Sequence, residues 1–318
     1  MSGRWPSPSP SPIAVTTERT AAPPIDPAWV AANLPDRSSR AHKGTFGRLL
    51  VVGGSLEYAG APILVGLGAA RAGAGLVGIA APEAVAERLL GRIPELISVP
   101  LPEEAAGLTS PAGWRRVTAE LATYDAAVIG PGLGRHPSTL RRTRTLLADL
   151  RGPAVVDADG LNALAEQDRW WKLLNASLVL TPHPGEFASL SGRGTSPLPD
   201  ETAARVAAAA EAAETWNQVV VLKGAETVVA APDGALVRST VATPALATAG
   251  SGDVLAGTIG ALLAAGSATW EAAVCGVAAH AAAGVIAERR IGRSGTMASD
   301  IASFLPAAFE ALRSGQPV

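Results

Sequence analysis

The sequence predicts an α/β fold, a mostly parallel central sheet with helices on both faces. Three observations carry that expectation. Short continuous apolar runs recur along the chain and end in Gly, Asp, His or Lys, as strands buried on both faces do. Segments with apolar residues at helical spacing lie between them. Hydrophobic residues make up 48% of the 318 while aromatics are only 4%, so a large core must be built from Val, Leu and Ile with close Ala/Gly packing.

The elements follow in order. Residues 1–24, "MSGRWPSPSPSPIAVTTERTAAPP", are rich in Pro and Ser and cannot bury much apolar surface, so a disordered tail is expected there. Residues 25–318 are expected to form one domain, since no linker-like boundary appears beyond residue 40 and no repeat is evident. "GRLLVVGG" (Gly47–Gly54) reads as a buried strand. "APILVGLGAARAG" reads as a helix that stops at Gly73, and "GLVGIAAP" as the next strand. "YDAAVIGPGLG" (Tyr124–Gly134), "GPAVVDADG" (Gly152–Gly160), "ASLVLTPHPGE" (Ala176–Glu186) and "NQVVVLKGAE" (Asn217–Glu226) repeat the strand pattern. Helices are expected near 137–150, 199–215, 252–265, 269–289 and 299–313. "TVVAAPDGALVRST" alternates around Asp-Gly, the mark of an antiparallel hairpin at a sheet edge.

Composition excludes several function classes. Lys+Arg (26) nearly balances Asp+Glu (28), which gives no electrostatic footprint for nucleic acid or an acidic membrane surface. The lone cysteine, Cys275, excludes a disulfide within the chain and a multi-cysteine metal site. The N-terminal stretch lacks the apolar centre of a secretory signal, and later apolar runs are interrupted before the roughly 18 residues a membrane span needs. A cytoplasmic protein is expected.

The chemistry-bearing residues cluster just after strands, where ligands bind in open α/β sheets. "GAGLVG" (Gly73–Gly78) matches a dinucleotide fingerprint, but it ends a helix and begins a strand, the reverse of the order that motif needs. "GPGLG" (Gly130–Gly134) follows a strand and suits either a tight turn or close approach of backbone to ligand. In "DADGLNAL", Asp157 ends a Val-rich strand, where an idle acid is costly to desolvate, and Asp159 stands either as a turn and cap residue or as a ligand contact. In "TPHPGE", prolines flank His183 and pin its loop. Glu186 there is either a favourable first-turn acid or a carboxylate for Mg²⁺. Lys223 follows three valines and could offer a cation to a nucleotide.

"ATAGSGDVLAG" (Ala247–Gly257) is the most informative stretch. Val254, Leu255, Ile259, Leu262 and Leu263 sit at helical spacing, so a helix starts near Gly252. Its first-turn amides, with Gly250 and Gly252 freeing the backbone, suit a bound phosphate. Asp253 beside that phosphate is a candidate general base, and the pattern suggests phosphoryl transfer. His280 and Cys275 lie in an apolar helix and read as core residues, and His42 and His136 as loop residues without partners.

Six motifs in this order, "GRLLVVGGSLEYAGAP", "VIGPGLGR", "VVDADGLNAL", "LTPHPGEF", "VVVLKGAET" and "ATAGSGDVLAG", resemble the ADP/ATP-dependent NAD(P)H-hydrate dehydratases over roughly residues 40–312. The resemblance implies a ribokinase-like fold. It also implies an enzyme that phosphorylates the C6 hydroxyl of the S-epimer of NADH or NADPH hydrate and then eliminates phosphate. It places Ala61, Gly132, His183 and Asp253 against the hydrate, with Asp159 and Asn162 lining the same pocket. It assigns the nucleotide, ADP or ATP, to Lys223, Gly224, Ala225, Glu226 and Thr227 and to Ala249, Gly250, Ser251 and Gly252. Asp253 would take the hydroxyl proton, and Glu186 would help to order Mg²⁺. A homo-oligomer, a tetramer in the family, and functional coupling to an NAD(P)H-hydrate epimerase are further implications. Many relatives carry that epimerase as a leading domain, whereas the roughly 40 residues ahead of the resemblance here are too few for one. The chain departs from the usual pattern at Phe46, Thr243, Ala245, Ala249 and Ser251, which bears on nucleotide preference more than on the reaction. The rival reading is a ribokinase-like kinase of a small alcohol, and a further one a catalytically idle nucleotide-binding protein.

Overall fold

The computed structural model describes residues 21–37, 43–89, 93–193, 198 and 200–315. In chain order the elements are α1 (Pro27–Asn33), β1 (Arg48–Val52), α2 (Gly60–Ala72), β2 (Leu76–Pro82), α3 (Glu83–Leu89), β3 (Ile97–Leu101), β4 (Glu103–Ala105), β5 (Leu108–Thr109), α4 (Pro111–Leu121) and β6 (Ala126–Ile129). They continue with α5 (Pro137–Asp149), β7 (Ala154–Val156), α6 (Asp159–Ala165), β8 (Leu178–Leu180), α7 (Pro184–Leu190), α8 (Thr202–Trp216) and β9 (Val219–Leu222). The last are β10 (Val228–Ala230), β11 (Leu236–Arg238), α9 (Ser251–Ala264), α10 (Thr269–Arg290) and α11 (Ala298–Arg313).

Nine strands form one sheet in the order β11-β10-β9-β8-β7-β6-β1-β2-β3, and β4 pairs with β5 as a small separate ribbon. Every pair from β9 to β3 is parallel. The expected hairpin is β10–β11, antiparallel at the sheet edge, and β10 also runs antiparallel to β9. Alternation along each strand splits the core in two. Leu49 and Val51 face the layer of α2, α9, α10 and α11, while Leu50 and Val52 face α4 to α8.

Alanine and glycine set the spacing of the first layer. A Cβ on Gly68 would lie 2.6 Å from the Val254 carbonyl oxygen, and one on Gly257 only 2.0 Å from that of Val65. Helices α2 and α9 therefore meet backbone to backbone, which fixes the start of α9 against the sheet. Helix α10 has 22 residues and is apolar enough by length and composition to cross a membrane, but it is mostly buried inside the fold as a core helix.

The expected disordered tail needs correction at its end. Residues 1–20 lie outside the described residues. Ala22 is buried, Arg238 N–H donates to the Pro23 carbonyl at 2.9 Å, and Ile25 N–H donates to the Arg238 carbonyl at 3.0 Å. Residues 22–25 thus add backbone pairing beside β11, because an open sheet edge has groups to satisfy. The Gly73–Gly78 decoy resolves as the sequence suggested: Gly73 ends α2 in the left-handed region, φ 99°, and the strand follows.

Candidate active site

The sheet's strand order reverses between β1 and β6, and the loops at their carboxyl ends open a crevice there, where α/β sheets bind ligands. The loop after β6 is shaped by its glycines. Gly132 has φ 69°, and a Cβ on it would lie 2.6 Å from the Tyr58 carbonyl oxygen and 3.1 Å from the Ala61 Cβ. That close approach seats the loop on the start of α2, so Ala61 and Gly132 meet. Gly134 N–H donates to Asp159 Oδ2 at 2.9 Å, and the Asn162 amide donates to Asp159 Oδ1 at 3.1 Å. Asp159 therefore ties the glycine loop to α6. Ala158, between Asp157 and Asp159, has φ 50° and ψ −119°, a strained backbone of the kind that gathers at functional sites.

Four charged side chains meet beside this loop. Lys223 Nζ donates to Asp157 Oδ1 at 2.7 Å and lies 3.8 Å from Glu186 Oε2. Thr181 donates its hydroxyl to the same Asp157 oxygen at 2.8 Å. Asp253 stands in the first turn of α9, and its charged neighbours are Asp157, Lys223 and Glu186. The cap of α9 is Gly250 in the left-handed region, without a side-chain cap bond, so capping does not explain the acid.

Three carboxylates around one ammonium leave excess negative charge in a largely buried place. Burial first, then Asp157, pushes Asp253 up to about 7, against the pull of Lys223. Burial raises Glu186 to about 7, with Lys223 opposing and Asp157 adding to the rise. Burial draws Lys223 down, but Asp157 and Glu186 outweigh it and hold the ammonium above the ordinary lysine value.

His183 caps α7. Its Nδ1 accepts from Gly185 N–H at 3.0 Å and Glu186 N–H at 3.3 Å, while His183 N–H donates to Glu186 Oε2 at 2.8 Å. This reciprocal box fixes ring and carboxylate together. Nδ1 is an acceptor here, so the neutral ring carries its proton on Nε2, a donor that lies 3.5 Å from Glu186 Oε1. Burial, then Lys223, lowers the ring's pKa and favours that neutral form.

A cavity of about 690 Å³ opens on the other side of Lys223, in the size range of small-molecule sites. The loop after β9 lines it through Lys223, Gly224, Ala225 and Thr227, and the start of α9 through Ser251 and Gly252. Residues of the 239–248 segment and, from α10, Val277, His280 and Ala281 complete its wall. Thr243 donates its hydroxyl to Glu288, which also pairs with Arg293 at 3.0 Å, so this wall is tied to the end of α10.

Three of the residues expected at the nucleotide do not line this cavity themselves, although their chain neighbours do. Glu226 pairs with Arg238 at 2.8 Å and accepts from Thr202 at 2.8 Å, so its carboxylate is engaged away from the cavity. Ala249 is exposed on the turn before α9. A Cβ on Gly250 would run into Leu64 and Ala298, so only glycine fits there. Of the histidines, His136 is not partnerless: its ring accepts from Ser138 N–H and caps α5. His42 lies outside the described residues. His280 is buried as expected, but it lines the cavity. Its apolar helix hid that, and no local signal in the sequence marks it. Asp157 had one signal, its place at the end of a buried strand.

Among the described residues no three carboxylate, imidazole or thiol side chains converge into a metal cage. Mg²⁺ does not require one, because it keeps several waters and takes one or two carboxylates with substrate phosphates. Glu186, buried beside Lys223, supplies a carboxylate that fits that demand.

The NAD(P)H-hydrate dehydratase family model matches residues 49–307. The chain is 43% identical over 279 residues to the bifunctional NAD(P)H-hydrate repair enzyme Nnr of Moorella thermoacetica, covering 88% of this chain and 52% of that protein. It thus spans about half the length of that relative. It is 37% identical over 273 residues to the ADP-dependent (S)-NAD(P)H-hydrate dehydratase of Xanthomonas campestris pv. campestris, covering 85% of this chain and 90% of the relative. The crystal structure of the ADP/ATP-dependent NAD(P)H-hydrate dehydratase of Bacillus subtilis, co-crystallised with ATP/Mg²⁺, superposes with a TM-score of 0.76 at 30% identity, over 92% of this chain and 99% of that one.

Proposed function

The chain belongs to the NAD(P)H-hydrate dehydratase family, and from that premise we propose that it dehydrates the S-epimer of NADH or NADPH hydrate at the expense of ADP or ATP. The terminal phosphoryl group of the nucleotide passes to the C6 oxygen of the hydrate as the hydroxyl proton leaves. The C6–O bond then breaks, inorganic phosphate departs, and loss of a proton from the adjacent ring carbon restores the double bond.

The observation that carries this reading is Asp253, an acid in the first turn of α9, next in the chain to cavity-lining Gly252 and in the field of Asp157, Lys223 and Glu186. Its side chain makes no hydrogen bond among the described residues, and burial pushes it up to about 7. It is poised to take the hydroxyl proton near neutral pH. The α9 amides at Ser251 and Gly252 and the Lys223 ammonium stabilise charge on the transferring phosphoryl group. Ala61, Gly132, Asp159 and Asn162 form the substrate side, where His183 Nε2–H offers a donor to the hydrate. Glu186 would help to hold Mg²⁺ through water, and that cation would neutralise phosphate charge.

The bifunctional relatives suggest an epimerase as functional partner, supplying the S-epimer to this site. A homo-oligomer in the cytoplasm is the assembly and location we propose, the latter in keeping with the lone buried cysteine. The test is to mix the protein with NADH hydrate and Mg²⁺, then ADP or ATP, and follow the reduced-nicotinamide absorbance. A nucleotide-dependent rise is expected. A phosphorylated product without recovery of NADH would point to a kinase instead.

A further inference from the structure

Ser251 and His280 form a buried pair at the cavity, 5% and 7% exposed. Ser251 Oγ and His280 Nε2 are 3.1 Å apart, and the two residues come from different helices, α9 and α10. A hydroxyl carries one proton and two lone pairs. If the ring nitrogen donates to Oγ, the hydroxyl proton is left for another acceptor. If the ring accepts that proton instead, Oγ presents only lone pairs to the cavity and repels an anion.

We propose that His280 is a positioning residue: its Nε2–H donates to Ser251 Oγ and turns the serine hydroxyl into a hydrogen-bond donor aimed at a phosphate of the bound nucleotide. The inference rests on the reading of this cavity as the nucleotide site. Ser251 is the first residue of α9, so its hydroxyl stands beside the free first-turn amides that attract a phosphate. Gly252 follows it on the cavity wall and Lys223 Nζ lies close by, since a Cβ on Gly252 would come within 3.4 Å of that nitrogen. The donors at this corner are thus amides, an ammonium and one hydroxyl whose direction the ring decides. Burial first pushes the ring down to about 4, against an upward pull from the Ser251 backbone, and nearby Lys223 adds a smaller lowering. The ring therefore stays neutral and adds no charge; it acts by selecting which partner carries the proton.

The experiment measures Mg²⁺–ADP affinity by calorimetry, without hydrate, in Ser251→Ala, His280→Leu, the double variant and His280→Gln. Unliganded melting temperatures check that each is folded. Wild-type protein binds; Ser251→Ala and His280→Leu each weaken binding about tenfold, and the double variant loses no more than either single. His280→Gln, which keeps a side-chain donor near that position, stays within about threefold of wild type. The KM for the hydrate is unchanged in the variants that turn over, which a general loosening of the core would not spare. Wild-type affinity in Ser251→Ala overturns the proposal, and that variant leaves the core of α10 untouched. Losses that multiply in the double variant also overturn it. No nucleotide binding by wild-type protein overturns the nucleotide reading of the cavity, and this inference with it.

Discussion

At the scale of single residues, the site depends on one balance: three carboxylates share the field of one ammonium. Asp157 takes the direct contact with Lys223, 2.7 Å, and leaves Asp253 and Glu186 undercompensated. Burial is the main reason for their raised pKa values and this shortfall of positive charge adds to it; together they make Asp253 a base strong enough to matter near neutrality. Asp253→Asn is expected to lower kcat by about 10²- to 10⁴-fold, the usual worth of a general base, while Mg²⁺–ADP binds as before. Calorimetry beside a turnover assay checks both halves; a variant that turns over at the wild-type rate removes Asp253 from the mechanism. The pH profile gives a second prediction. The base must be ionised, so kcat/KM rises with pH and levels off above about 7. Below that value it falls about tenfold per unit, or more steeply where Glu186 titrates in step. A rate that is flat from pH 5 to 8 contradicts the assignment.

At the scale of elements, the site is held in place by helix contacts that only glycine permits. The seat of Asp253 is the start of α9, and α9 lies against α2 at the van der Waals limit of two backbones. Gly257→Ala puts a methyl group 2.0 Å from a backbone oxygen, which cannot move aside cheaply. The expected cost is about 3 kcal/mol, read as a fall in the denaturation midpoint at unchanged m-value. Gly60→Ala, in open space at the start of α2, should change stability by less than about 1 kcal/mol. Equal effects in the two variants would show that the close approach is not what fixes α9. These elements were legible in the sequence to different degrees. The buried strands, α9 and the β10–β11 hairpin announce themselves by period and by turn chemistry, and the polar residue after each strand marks the rim. The β4–β5 ribbon and helices α1 and α3 carry no comparable signal, because they are short. Contacts between distant residues were not legible at all. Lys223 meets Asp157 across 66 positions, and Ser251 meets His280 across 29. Glu226 shows the converse: its neighbours in sequence line the cavity, but Arg238 from the next strand draws its carboxylate away.

At the scale of the whole molecule, the same buried groups set how stability depends on pH. The sign follows from which state binds more protons. Asp253 and Glu186 have folded pKa values of about 7, above their ordinary ones, so between roughly pH 4 and 7 the folded chain holds two protons that the unfolded chain releases. The stability they contribute is complete at the acid end of that window and is lost as pH rises through about 7. His280 acts in the opposite direction. Its folded pKa of about 4 lies below the ordinary 6.5, so in the same window the unfolded chain holds a proton that the folded chain lacks. The stability from the neutral ring is present above about 6.5 and is lost as pH falls toward 4. Near pH 5.5 the carboxylate pair outweighs the imidazole by about one proton. Removing one partner from either side should therefore change the slope by about 1.4 kcal/mol per pH unit, in opposite directions. Relative to wild type, Asp253→Asn gains stability as pH rises from 5 to 6.5, and His280→Gln loses it. Differences between variants cancel the titration of every shared group that does not interact with the substituted one. Denaturant unfolding of the three proteins at pH 5, 5.5, 6 and 6.5 measures those slopes. Parallel lines for all three would mean that neither side chain titrates abnormally in the folded chain. Opposite slopes would show that the fold tolerates a costly carboxylate at the site while a buried neutral imidazole offsets part of its pH dependence.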